Sequence, residues 1–118
     1  MGLLLFVAAV VTLGLAGWNS YAVIDELRRA LPPQFNELDL RWASGAHVWT
    51  PITSDAARRY HVRSHLWASL SFSLWAILLW LWGELIGAAA FGGLAVLAVT
   101  FIAWQCYHYR VRRQRNSN

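Results

Sequence analysis

Residues 66–104 form a run of thirty-nine residues with one charge, Glu84, which sits beside Gly83 near the middle. A single helix of that length would rise about 58 Å, whereas the hydrocarbon core of a bilayer is about 30 Å thick. The run must fold back on itself. Gly83-Glu84-Leu85-Ile86-Gly87 is the one place for a turn, which splits the run into spans of roughly residues 66–82 and 85–104. The expectation is a helical hairpin in a membrane.

The apolar share of the chain, 58%, exceeds the roughly 45–50% of soluble domains, so lipid must cover the excess. Residues 1–24 carry no charge and are apolar apart from Thr12, Asn19, Ser20 and Tyr21, long enough for a further span. A cleaved secretory signal is the competing reading, and Gly14-Leu15-Ala16 would pass as its cleavage site. No Arg or Lys precedes the apolar stretch, however, and the stretch is longer than a usual signal core, which favours a retained span.

The ten basic residues are all Arg, a bias that the codon usage of a GC-rich genome explains without any demand for phosphate binding. Six lie between the first and second spans and four follow the third, with none before the first span or in the hairpin turn. The positive-inside rule then places the N-terminus in the periplasm, residues 25–65 in the cytoplasm, the turn outside and the tail of residues 105–118 inside. Trp67, Trp104, Tyr107 and Tyr109 fall at the inner headgroup level, and Trp80 and Trp82 near the outer one. Trp75 is left near mid-membrane and calls for packing against another helix.

The basic loop of residues 25–65 is expected to be partly structured. Asp25 or Glu26 can reach Arg29 at helical spacing, and Pro32-Pro33 stops that helix. Phe35, Leu38, Leu40 and Trp42 alternate with polar residues, as in a short strand or an extended piece on the bilayer surface. Ser44-Gly45 and Thr50-Pro51 signal turns. Ser54 is placed to cap a helix starting at Asp55 and running into the second span.

His61, His65, Ser69 and Ser73 follow one another at four-residue spacing, a polar stripe that drifts about 40° per step along the second helix. His65 and His108 come level when the hairpin closes and could hold haem iron or line a quinone pocket. No carboxylate or Cys pair completes a first shell, so a basic headgroup collar without a bound cofactor or metal is the favoured reading. Ser69 and Ser73 are expected to donate across helices. Gly87, Ala88, Gly92 and Gly93 belong to a small-residue face, with Gly83/Gly87 and Ala88/Gly92 in small-xxx-small spacing suited to close approach of another helix. Glu84, at a water-exposed turn, is not placed as a proton carrier. Arg58, Arg59, Arg63, Arg110, Arg112, Arg113 and Arg115 are expected at anionic lipid headgroups, where they also fix orientation. The single Cys106 allows neither an internal disulfide nor a thiolate cluster. No motif of a catalytic triad, a phosphate loop or a metalloprotease is present, so no enzyme activity, soluble small-molecule substrate or nucleic-acid partner is expected.

An N-terminal span is followed by Leu27-Arg28-Arg29-Ala30-Leu31, Pro33-Gln34-Phe35-Asn36-Glu37-Leu38 and Ala57-Arg58-Arg59-Tyr60, then by a closing membrane segment. This layout resembles small bacterial membrane proteins of the universal stress protein B type over roughly residues 20–65. The departure is the hairpin, where that family closes with one span. The resemblance implies a stress-associated inner-membrane protein without assigned chemistry and carries over no functional residue. The expected function is a non-enzymatic accessory or interaction protein that binds lipid and another integral-membrane protein, or itself. The alternative is an electron-transfer subunit holding haem or quinone through His65 and His108.

Overall fold

A computed structural model describes residues 2–30, 48–50 and 53–117. Three helices account for nearly all of them: α1, Gly2–Ala30; α2, Asp55–Leu81; and α3, Leu85–Ser117. No strand occurs among the described residues. All three helices are long and apolar enough to cross a membrane, and helices satisfy their own backbone groups where no water is available to do so. The all-α expectation and its three spans hold at this level. Pro32-Pro33, the alternation over residues 35–42 and Ser44-Gly45 lie outside the described residues.

α1 continues past Ile24 for a turn and a half. There the Arg29 guanidinium meets both expected acids, Asp25 at 3.1 Å and Glu26 at 3.4 Å. Arg29 is mostly exposed, so each pair contributes at most a few tenths of a kcal/mol, about 0.3–0.5 for such helical spacings.

The hairpin turn occupies residues 82–84. Trp82 N–H donates to Leu78 O (3.1 Å), Gly83 N–H to Trp80 O (3.0 Å) and Glu84 N–H to Leu79 O (2.9 Å). With Gly83 at φ 83°, these are the paired bonds of a Schellman motif, in which a left-handed residue lets the chain satisfy the last carbonyls of a helix. Ala88 N–H already donates to Glu84 O (2.9 Å), so Glu84 both completes the end of α2 and starts α3. The turn is therefore shorter than the expected Gly83–Gly87 stretch, and residues 85–87 form the first turn of α3. Gly87 serves packing instead: a Cβ there would lie 3.2 Å from Leu79 Cδ1.

The chain divides into two compact units. The first comprises Met1–Leu13 with His65–Asn118. Within it α2 reaches both neighbours through serines two positions apart, which a helix sets about 200° from each other. Ser71 Oγ donates to Ala9 O of α1 and Ser69 Oγ donates to Ala95 O of α3, each at 2.9 Å. Aromatic contacts follow the same division: Trp75 meets Phe6 of α1 edge to face at 5.6 Å, and Phe72 meets Phe91 of α3 at 5.9 Å. Trp75 thus packs against another helix, as expected.

The second unit is Gly14–Ser64. Val23, Leu27, Val48 and Ala57 form a small buried core, with Ile24, Trp49 and Tyr60 packed against it. Full burial of each large member contributes about 1.5–3 kcal/mol. Ser64 Oγ donates to Ala16 O (3.1 Å) and lies 2.6 Å from Ser20 Oγ. Ser64 has one hydroxyl proton, so with that proton on Ala16 O, Ser20 is the donor of the second bond. Ser54 caps α2 as expected, its Oγ accepting from Ala57 N–H at 3.3 Å.

Candidate functional site

One series of buried positions on each helix recurs at seven residues, an interval that returns to the same side of a helix within about 20°. On α2 it is Ala57, Ser64, Ser71 and Leu78, flanked by buried Arg58, His61 and Ser69; on α1, Ala9, Ala16 and Val23, flanked by buried Thr12, Asn19 and Leu27; on α3, Ala95 and Ile102. The four-residue stripe of His61, His65, Ser69 and Ser73 is therefore not the packed side of α2 as a whole. Ser69 alone of the two expected donors bonds across helices. Ser73 Oγ donates to Ser69 O within α2 at 2.9 Å. Ser64 and Ser71, which carry the bonds to α1, have their signal in the heptad spacing, masked by the change from Ala to Ser to Leu along it. All these hydroxyls are engaged with backbone carbonyls or with each other.

Three histidines, His61, His65 and His108, have aromatic neighbours. His61 is buried and stands edge to face with Trp49 at 5.8 Å. His65 lies tilted against Phe101 at 6.1 Å, while His108 stands on the Trp104 ring at 4.6 Å and on Tyr107 at 5.7 Å. Among the described residues no group of three or more His, Cys, Asp or Glu is arranged to hold a metal ion. Glu84 is exposed at the turn.

Arg58 corrects one expectation. Placed by sequence with the headgroup cations, it is only 9% exposed. Its guanidinium donates to Asp55 Oδ1 (2.6 Å) and to Thr50 O (2.7 Å), tying the first turn of α2 to the preceding loop. Thr53 N–H donates to the same Thr50 carbonyl at 3.2 Å. A cation that has surrendered its water for a carboxylate and a carbonyl is a clamp on the loop, not a lipid contact. Arg59 and Arg63 remain exposed, as do Arg110, Arg112, Arg113 and Arg115 on the last turns of α3.

α3 buries only Ala95 and Ile102. Ala88 and Gly92 are half-buried, and Gly93 is exposed. Nothing lies within 4 Å of a Cβ built on Gly92 or Gly93, in contrast to Gly87. About 80–160° around the helix from Ala95, by the 100° per residue of an α-helix, Ala89, Gly93, Val96, Thr100, Ala103 and Tyr107 succeed one another at alternating four- and three-residue steps, and all are exposed. That is the spacing of a helix-packing seam, here with small or β-branched side chains at most positions.

Among the described residues, three apolar helices joined through buried hydroxyl-to-carbonyl bonds define an all-helical architecture of the multi-pass membrane type. Comparison with protein-family models, curated proteins and solved structures gave no match.

Proposed function

We propose that this chain is a non-enzymatic accessory protein of a bacterial inner membrane that binds another integral-membrane protein through α3. The observation that carries the reading is the open small-residue seam of Ala89, Gly93, Val96 and Thr100, with free space over Gly92 and Gly93. Small side chains let helix backbones approach closely, and van der Waals packing then replaces the hydrophobic drive that lipid cannot supply. The intramolecular contacts of α3 leave this seam unused. The arginine distribution supports a periplasmic N-terminus and cytoplasmic C-terminus. The resemblance to the universal stress protein B type supports a stress-associated setting.

Co-purification in mild detergent tests the reading. Gly92→Leu and Gly93→Leu weaken recovery of the native partner, whereas His65→Ala and His108→Ala leave it unchanged. Glycine variants that keep the partner, with histidine variants that lose it together with a visible absorption band, would replace this reading with an electron-transfer subunit. Recovery of this chain alone, as an oligomer that the glycine variants dissociate, would assign the seam to self-association.

A further inference from the structure

α3 outlasts the membrane. Residues 85–104 are twenty residues, about 30 Å of helix, which alone spans a hydrocarbon core. The helix nevertheless continues without a break to Ser117. Trp104 and Tyr107, 57% and 65% exposed, form a ring-bearing collar at the point where the apolar sequence ends, the position such residues take at a headgroup layer. Arg110, Arg112, Arg113 and Arg115 follow on the same rigid helix, about 9, 12, 13.5 and 16.5 Å beyond Trp104 at 1.5 Å per residue.

Three features of this cluster point to one ligand. No Asp or Glu follows Glu84 in the sequence, so no acidic side chain of α3 offers these arginines a counter-charge. Among the described residues none of the four forms an ion pair, and all four are exposed. At 100° per residue the four point to different sides of the helix, at about 0°, 200°, 300° and 140°. A docked protein groove or a nucleic-acid duplex would engage one side. A layer of headgroups surrounds a helix that passes through it.

We propose that residues 105–117 of α3 form a binding collar for anionic phospholipid headgroups, with Arg110, Arg112 and Arg113 making the contacts. Arg side chains extend back along the helix toward the interface and offer paired N–H donors to phosphate oxygens. Arg115 stands about two Debye lengths from the Trp104 level at physiological salt and contributes little. The inference needs insertion of α3 but no protein partner, so it stands or falls separately from the seam on α3.

The test uses the full chain reconstituted in phosphatidylcholine vesicles containing a trace of spin-labelled phosphatidylglycerol or spin-labelled phosphatidylcholine. The protein-immobilised fraction of each label is read by electron paramagnetic resonance. Phosphatidylglycerol is expected to be favoured about five-fold at low salt, the ratio that corresponds to about 1 kcal/mol for a basic residue near the surface. The preference should fall toward parity near 1 M salt, where the Debye length is about 3 Å. The triple variant R110Q/R112Q/R113Q should lower it with helicity unchanged, because Gln is a good helix former, while exposed Arg59 and Arg63 account for what remains. R110K/R112K/R113K should keep it, and R115Q should change it little. Parity in the wild-type chain, or a preference undiminished in the Gln variant, overturns the proposal. So does wild-type parity accompanied by binding of an acidic polypeptide such as polyglutamate through the same arginines, which would make the collar a protein site.

Discussion

The Ser71 hydroxyl donates to the carbonyl oxygen of Ala9 at 2.9 Å, and both residues are wholly closed to solvent. Ala9 lies inside α1, where its carbonyl also accepts the helical N–H four residues on, and the single hydroxyl proton of Thr12 is divided between Ala8 O at 2.8 Å and Ala9 O at 3.0 Å. A carbonyl that serves its helix and a neighbouring one fixes the approach of α2 to α1 at that level, and the absence of a side chain larger than a methyl on Ala9 permits it.

Ser71→Ala should therefore destabilise the chain by about 0.6 kcal/mol and at most about 1.7, the average and the maximum of such interhelical hydrogen bonds in membranes. Ser71→Leu should cost more, because the site has no space. Ser73→Ala is the control: its bond is to Ser69 O within α2, and loss of such a back-bond leaves a helix unharmed. Unfolding in mixed micelles, followed by circular dichroism, compares the three. Equal effects of Ser71→Ala and Ser73→Ala would refute the assignment of Ser71 to the contact.

At the hairpin, Gly83 holds φ 83°, a conformation that costs a side-chain-bearing residue about 1–2 kcal/mol. Gly83→Val should lower stability by at least about that amount, and Gly83→Asn by less, since Asn tolerates the left-handed region. Gly14→Ala and Gly17→Ala, in helical positions with nothing within 4 Å, should be neutral or stabilising by up to about 1 kcal/mol. Thermal unfolding in detergent ranks the four. A tolerant Gly83 would mean that the turn is held by something other than its backbone.

The two adjacent arginines at the start of α2 should behave differently. Arg58→Ala removes charge-assisted bonds to Asp55 and Thr50 O, each in the class worth about 1.5–3 kcal/mol. Arg59→Ala, at an exposed position, should fall within about 0.5 kcal/mol of wild type. Hydrogen exchange over residues 53–58 reports the difference directly: protection there drops in the Arg58 variant and is kept in the Arg59 variant.

Orientation follows from the ten-to-zero division of arginine between the two sides of the proposed arrangement. A reporter joined after Asn118 should be active in the cytoplasm and one inserted at Glu84 in the periplasm. A periplasmic C-terminus would reverse the whole arrangement.

The hairpin is legible in the sequence because two strong constraints meet in residues 66–104: the run is too long for one span, and Gly83 is the residue best suited to reverse it. The Ser54 cap and the pairing of Arg29 with Asp25 and Glu26 are legible for a similar reason, since they act within four residues of backbone whose geometry a helix prescribes. The serines are different. Residues 64, 69, 71 and 73 have the same side chain in the same helix, and only the register of neighbouring carbonyls assigns Ser64 and Ser71 to α1, Ser69 to α3 and Ser73 to its own turn. Arg58 and Arg59 are likewise indistinguishable by charge and spacing. Tertiary structure separates them, because a carbonyl eight residues earlier, Thr50 O, is brought within reach of one guanidinium, while the next residue, 100° further round the helix, is left facing outward.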